Sequence, residues 1–158
     1  MRHFFSICLF LLISNSYFSQ SVNLLDENGL KQGFWQKKYE NGSIRYEGNF
    51  NDDLETGIFK FYYLSGELKA TKEFFHNGKA AATHIFYKDG TIKSSGLYVN
   101  RQKDSTWNYY NKDSILILSE TYKNGYLHGK RKIYYDTGEL YLLSNWIDGK
   151  EYGEYIEY

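Results

Sequence analysis

Proline is absent from the 158 residues, and cysteine occurs once, at Cys8. Without proline, no strand is interrupted by a missing backbone donor. Beyond position 8 the chain has no disulfide, no thiolate nucleophile and no cysteine ligand for a metal. Net charge is missing too, since 19 Lys and Arg balance 19 Asp and Glu. That balance gives no overall attraction for nucleic acid or an anionic membrane surface.

Motifs that carry chemistry are equally scarce. There is no HExxH helix, cysteine–histidine cluster, GxSxG elbow, phosphate-binding loop or dinucleotide fingerprint. The four histidines are His3, His76, His84 and His128. His76 and His128 fall between predicted strands, and His84 lies mid-strand on the more polar face. Carboxylates such as Asp52, Asp53, Glu55, Asp89, Asp104, Asp113, Asp136 and Asp148 are spread along turns and linkers. A glycosidase needs two carboxyls facing each other across a cleft, about 5 to 10 Å apart. Hairpin turns provide no such cleft. Asn41-Gly42-Ser43 spells a glycosylation acceptor but is better explained as a turn. The expectation is a protein with no catalytic, cofactor-binding or metal-binding residues.

The N-terminus is set apart from the rest. Arg2 and His3 give a short positive start, and Phe4 to Ile13 is an apolar run broken only by Ser6 and Cys8. This pattern is that of a secretory signal peptide over residues 1–20, with cleavage after Ser16, Ser19 or Gln20. The run is too short for a bilayer span, which takes about 20 apolar residues. Cys8 lies inside the run rather than at its end, which argues against a lipoprotein signal. The chain is therefore expected to be exported, to the periplasm, the cell envelope or the medium.

Aromatic residues, in contrast, make up 20% of the chain, with 17 Tyr and 11 Phe. This composition favours strands. The 14 glycines fall mostly at fixed phases. Gly33, Gly57, Ala81, Ser105, Gly129 and Gly153 are spaced 24 residues apart, as are Phe50, Phe74, Tyr98, Tyr122 and Trp146. Gly42, Gly66, Gly90, Ser114 and Gly138 form a third column. Such a period marks a repeat protein, in which each unit buries its apolar face by stacking on its neighbours.

Each unit reads as a hairpin. Residues 34–39 form a first strand, Glu40-Asn41-Gly42-Ser43 a turn, Ile44 to Asn51 a second strand, and Asp52 to Thr56 a link to Gly57. The turn Asn111-Lys112-Asp113-Ser114 lacks glycine and is expected to slip by one residue. Alternation puts Ile44, Tyr46 and Phe50 on one face and Arg45, Glu47 and Asn49 on the other. Pairing Tyr39 with Ile44 sets Phe50 opposite Gly33, where the ring can cover bare backbone. It sets Trp35 opposite Gly48, and Tyr62 and Phe86 opposite Lys69 and Lys93.

The predicted fold is all-β: an elongated single antiparallel sheet of stacked hairpin repeats. It would hold about eleven strands and, at roughly 4.8 Å per strand, run for about 50 Å. Residues 21–32 form an N-terminal cap or partial repeat, and residues 33–158 hold five hairpins plus a closing strand, Gly153 to Tyr158.

Gly33-Phe34-Trp35…Tyr39…Gly42-Ser43-Ile44…Phe50 resembles the MORN-variant repeat, as does Gly57-Ile58-Phe59…Tyr63…Gly66-Glu67-Leu68…Phe74. The later units keep parts of the pattern, with Thr83 and Arg131 where tryptophan is usual. The resemblance covers about Gly29 to Tyr158. It implies an elongated sheet of hairpins serving as an interaction scaffold. Bacterial chains made only of these repeats are often labelled YwqK-type antitoxins, which would imply inhibition of a partner toxin. The resemblance implies no catalytic residues.

Most aromatics belong to the apolar face, but Tyr62, Phe86, Tyr110, Tyr134 and Tyr158 form a 24-residue column on the opposite one. Phe75, Leu97, Val99, Ile117, Tyr141, Leu143 and Ile147 are assigned to the same side. Two partly apolar faces exceed what folding one sheet requires, and exposed apolar surface marks binding sites. Tyr62, Phe86, Tyr110, Tyr134, Tyr141, Leu143 and Tyr158 are the candidate partner-binding residues. The expected partner is a protein, a second copy of the chain included. A glycan on tyrosine and tryptophan platforms is the other candidate.

Overall fold

A computed structural model describes residues 21–158. The expected signal peptide, residues 1–20, lies outside the described residues. The strands are β1 (Leu24–Leu25), β2 (Lys31–Lys38), β3 (Ile44–Asn51), β4 (Leu54–Tyr62), β5 (Leu68–Phe75) and β6 (Ala80–Phe86). They continue as β7 (Ile92–Val99), β8 (Gln102–Tyr110), β9 (Leu116–Lys123), β10 (Tyr126–Tyr134), β11 (Leu140–Ile147) and β12 (Lys150–Glu157). Each pairs with its sequence neighbours in one open antiparallel sheet ordered β1 to β12. The all-β, single-sheet expectation holds. The strand beyond the expected eleven is β1, which pairs Leu24 with Gln32 and Leu25 with Lys31.

Two kinds of turn alternate. At one margin, Tyr39 N donates to Ser43 O at 2.8 Å and Gly42 N to Tyr39 O at 3.0 Å. The same pattern recurs at Tyr63, Tyr87, Asn111 and Tyr135. Gly42, Gly66, Gly90 and Gly138 take positive φ there, and Ser114 does so at 62°. The glycine-free turn therefore does not slip. Asn111 Oδ1 accepts from the backbone N–H of Asp113 and Ile115, at 3.0 and 2.9 Å, and fixes the conformation that glycine adopts elsewhere.

The other margin corrects the expected five-residue link. Asn51 pairs with Leu54 across only Asp52 and Asp53, both at positive φ. This is the backbone of a tight hairpin turn whose twist matches the strands. β4 thus begins before Gly57, which lies inside the strand. Asn49 pairs with Thr56 and Glu47 with Lys60, so Gly48 alone faces Gly57, Ile58 and Phe59. Two extra residues form a bulge, and Gly57 sits at its left-handed corner with φ 63°.

The same two residues are displaced at the third unit. An L-residue in the left-handed region costs about 1–2 kcal/mol; Ser105 takes it at φ 57° and keeps the bulge, whereas Ala81 does not adopt it. The β5–β6 pairing runs unbroken from Ala70–Ile85 to Phe75–Ala80. The extra residues enter the turn instead, which lengthens to His76, Asn77, Gly78 and Lys79. The 24-residue period survives because the chain places two residues either in the bulge or in the loop.

Register confirms Phe50 opposite Gly33 and Trp35 opposite Gly48. The ring expected over Gly33 is not there, since a Cβ on Gly33 would meet nothing within 4 Å. Gly33 takes a φ of 66°, which glycine adopts at least cost, and Ser105 holds the same column position at 57°. Aromatic cover lies instead at the bulges. A Cβ on Gly48 would fall 2.4 Å from the Phe59 ring, and one on Gly96 would fall 2.3 Å from Trp107. Phe59 and Trp107 are 2% and 1% exposed. Each seats on bare backbone of the preceding hairpin.

Tyr62 and Phe86 also shift, to face Leu68 and Ile92. One residue of each second strand (Arg45, Lys69, Lys93, Ile117 or Tyr141) bulges out after the turn. Lys69 and Lys93 consequently lie over Tyr63 and Tyr87, with ammonium-to-centroid distances of 5.7 and 5.6 Å.

The aromatic core is a chain of edge-on rings. Trp35 meets Phe50 at 5.9 Å, Phe50 meets Phe59 at 5.1 Å, Phe59 meets Phe74 at 5.2 Å, and Tyr98 meets Trp107 at 4.9 Å. Edge-to-face contacts suit the ring quadrupoles. Neighbouring hairpins are also latched by tyrosine hydroxyls. Tyr39 donates to Tyr62 O, Tyr63 to Phe86 O, Tyr87 to Tyr110 O and Tyr135 to Tyr158 O, at 2.8 to 3.1 Å. Asn111 interrupts this ladder at the position where a tyrosine would reach Tyr134.

Candidate partner-binding surfaces

The candidate column stands at the strand ends. Tyr62, Phe86, Tyr110 and Tyr134 are half-buried, and Tyr158 is 61% exposed. The backbone carbonyls of Tyr62, Phe86, Tyr110 and Tyr158 anchor the tyrosine latches, so the column has a structural part at every position but Tyr134. The Tyr62 hydroxyl donates to Glu47 Oε1 at 2.6 Å.

Burial, and then the Glu47 carboxylate, push the Tyr62 phenol up to about 12. The unfolded chain releases this proton near pH 10 and the folded chain near 12. Stability from this group is therefore complete below pH 10 and lost as pH rises to 12. In an ultraviolet titration, native protein minus Tyr62→Phe should show only about a tenth of Tyr62 as tyrosinate at pH 11. An ordinary midpoint near 10 would mean that the Glu47 contact is not made.

The structure separates the remaining candidates. Leu143 alternates with Leu142, which is buried on the core side, and stays half-buried on the opposite face. Tyr141 is the bulge residue between the Ile133–Leu142 and Tyr134–Leu140 pairs. The bulge breaks the period of two, and Tyr141 leaves the alternation that would set it beside Leu143. Its ring packs 4.9 Å from Tyr135, and its hydroxyl donates to Glu157 Oε1 at 2.5 Å. That contact, with the Glu157 charge, raises the Tyr141 phenol above its ordinary value. Ile117 holds the equivalent bulge position one repeat earlier.

The sequence did not single out the cations on the aromatic face. Lys31 lies 4.6 Å from the Phe50 centroid. Lys72 lies 4.7 Å from Tyr98 and 5.8 Å from Phe61. Lys103 lies 4.9 Å from both Trp107 and Tyr122, and its Nζ donates to the Tyr109 hydroxyl at 2.6 Å. Column arithmetic carried a signal for Lys72. It occupies the phase of Gly48 and Gly96, while Thr83 occupies that of Trp35, Phe59 and Trp107. Two units after Lys72 and Thr83 the same phases hold Glu120 and Arg131, joined Oε1 to Nε at 3.1 Å.

Among the described residues, no three His, Cys, Asp or Glu side chains gather as a metal site, and no helix is long and apolar enough to cross a membrane. His128 and Asp148 form an exposed pair at 3.1 Å.

No family model and no curated protein matches the chain. Among solved structures it is similar to TarM of S. aureus, in a mutant form complexed with fondaparinux, α-GlcNAc-glycerol and UDP. That match has 13% identity and a TM-score of 0.44, and covers 61% of this chain and 19% of that one. A second TarM structure gives 12% identity and a TM-score of 0.43 over the same shares. The chain thus spans about a fifth of the length of these structures.

Proposed function

We propose that this chain is an exported, non-catalytic scaffold of MORN-variant type that binds a protein partner on its sheet. The supporting observation is that one unlayered sheet carries apolar side chains on the face opposite its core. Ile58, Phe75 and Ile147 are 55%, 38% and 45% exposed, with half-buried Tyr62, Phe86, Tyr110 and Leu143 among them. Such a surface, with phenols that are apolar on the ring and polar at the tip, suits a protein interface. The partner's chemistry would decide between scaffold and toxin inhibitor.

Tyr110→Ala and Leu143→Ala should each weaken partner binding about tenfold, as interface anchors do on truncation. Their melting temperatures should stay close to the parent's. Unchanged affinity in both variants would remove this face from the account.

A further inference from the structure

The third repeat exchanges the sizes of two facing side chains. At β3–β4 and β7–β8 a glycine receives an aromatic ring, Gly48 with Phe59 and Gly96 with Trp107. At β5–β6 the two phases hold Lys72 and Thr83, which pair directly. A long cationic side chain stands where glycine stood, and a threonine replaces the ring. The exchange interrupts the core, since Phe74 and Tyr98 have no bridging ring between them. A hollow of 320 Å³ opens there, lined by Lys72, Phe74, Ala81, Tyr98, Glu55 and Arg101 among others. It adjoins a second hollow of 490 Å³ that adds Lys31 and Asp53.

The cations here outnumber the acids that could pair with them. No carboxylate oxygen lies within 4.0 Å of the Lys72 ammonium among the described residues. Residues 1–20 contain no Asp or Glu at all. Asp53 already accepts the Lys31 backbone N–H at 2.9 Å. Burial holds the Lys72 ammonium below its ordinary pKa; Glu55 opposes that shift and nearby Arg101 adds to it. An anion between Lys72 and Arg101 would relieve both the desolvation and the repulsion.

We infer that this hollow receives a carboxylate of an acidic peptide segment from the protein partner, bridged by Lys72 and Arg101. The inference rests on the protein-binding reading above and names the chemistry the partner presents. A peptide is favoured over a sugar because ring faces that would stack on a sugar are already met by ammonium groups. Lys31 takes Phe50, and Lys72 takes Tyr98. The edge of an aromatic ring is its electropositive part and suits a carboxylate.

The test is a nitrogen-15 NMR titration of the protein with acetylated hexaglutamate, with hexalysine and a hyaluronate tetrasaccharide run in parallel. The amides of residues 80–83, Tyr98 and Arg101 should shift saturably with hexaglutamate alone. Lys72→Met keeps an unbranched chain one atom shorter and without charge, and Arg101→Asn suits the positive φ of that turn. Each should weaken binding about tenfold, the scale of a lost charge-assisted hydrogen bond. Shifts outside the hollow, unchanged affinity in both variants, or preference for the hyaluronate probe would overturn the inference. The protein-binding reading fails separately, if Tyr110→Ala and Leu143→Ala both leave partner affinity intact.

Discussion

Gly96→Ala should destabilise the fold by about 3 kcal/mol, the upper end for overpacking a core. The added carbon would lie 2.3 Å from the Trp107 ring, and that ring is 1% exposed, with its Nε1 donating to Leu97 O at 3.0 Å. It has no vacant volume to enter. Gly33→Ala is the contrasting change. Its Cβ meets nothing within 4 Å, and only the φ of 66° opposes it, at about 1–2 kcal/mol. Denaturant unfolding followed by tryptophan fluorescence should separate the two. Equal losses would mean that ring seating on glycine does not organise the repeat. In a repeat array the loss should also be local, with hydrogen exchange rising first in β7 to β9.

Arg131→Ala carries the second large effect. Glu120 is buried, its Oε1 paired with Arg131 and its Oε2 accepting the Tyr122 hydroxyl at 2.7 Å. Burial, then Glu120, raises the Tyr122 phenol above its ordinary value, so Tyr122 stays a neutral donor. Removing the guanidinium leaves a carboxylate held by one phenol. Breaking a buried pair costs about 3–5 kcal/mol, and partly exposed Arg131 should bring this to about 2–3 kcal/mol. Restoring the repeat's usual chemistry with Glu120→Gly, Arg131→Phe and Tyr122→Phe together should recover most of the loss. A triple variant less stable than Arg131→Ala would show that the ion pair is more than a substitute for glycine and ring.

The repeat was legible because side-chain size, charge and backbone freedom repeat at one period. Gly33, Phe50 and Gly42 each hold a column, and the register of Phe50 against Gly33 followed from it. The bulge was not legible. A glycine in the left-handed region and a glycine under a ring look alike in sequence, so spacing alone points to Gly33 for the role that Gly48 performs. The early start of β4 leaves no glycine signal, because Asp52 and Asp53 adopt positive φ themselves. Tyr141 shows the functional cost: the one residue that bulges leaves its assigned face, while Leu142 and Leu143 keep theirs. Lys72 was visible only as a departure from its column, and its burial depends on Thr83 eleven positions away, across the β5–β6 turn.

The central claim, that the chain holds a protein on its sheet, is tested most directly by affinity capture. The parent, Tyr110→Ala and Lys72→Met would be presented side by side to the envelope and secreted fractions of the protein's own cell. The account predicts one stoichiometric protein with the parent and a marked loss with each variant. Equal retention by all three, or recovery of the bait alone from a chain that is monomeric in solution, would contradict it.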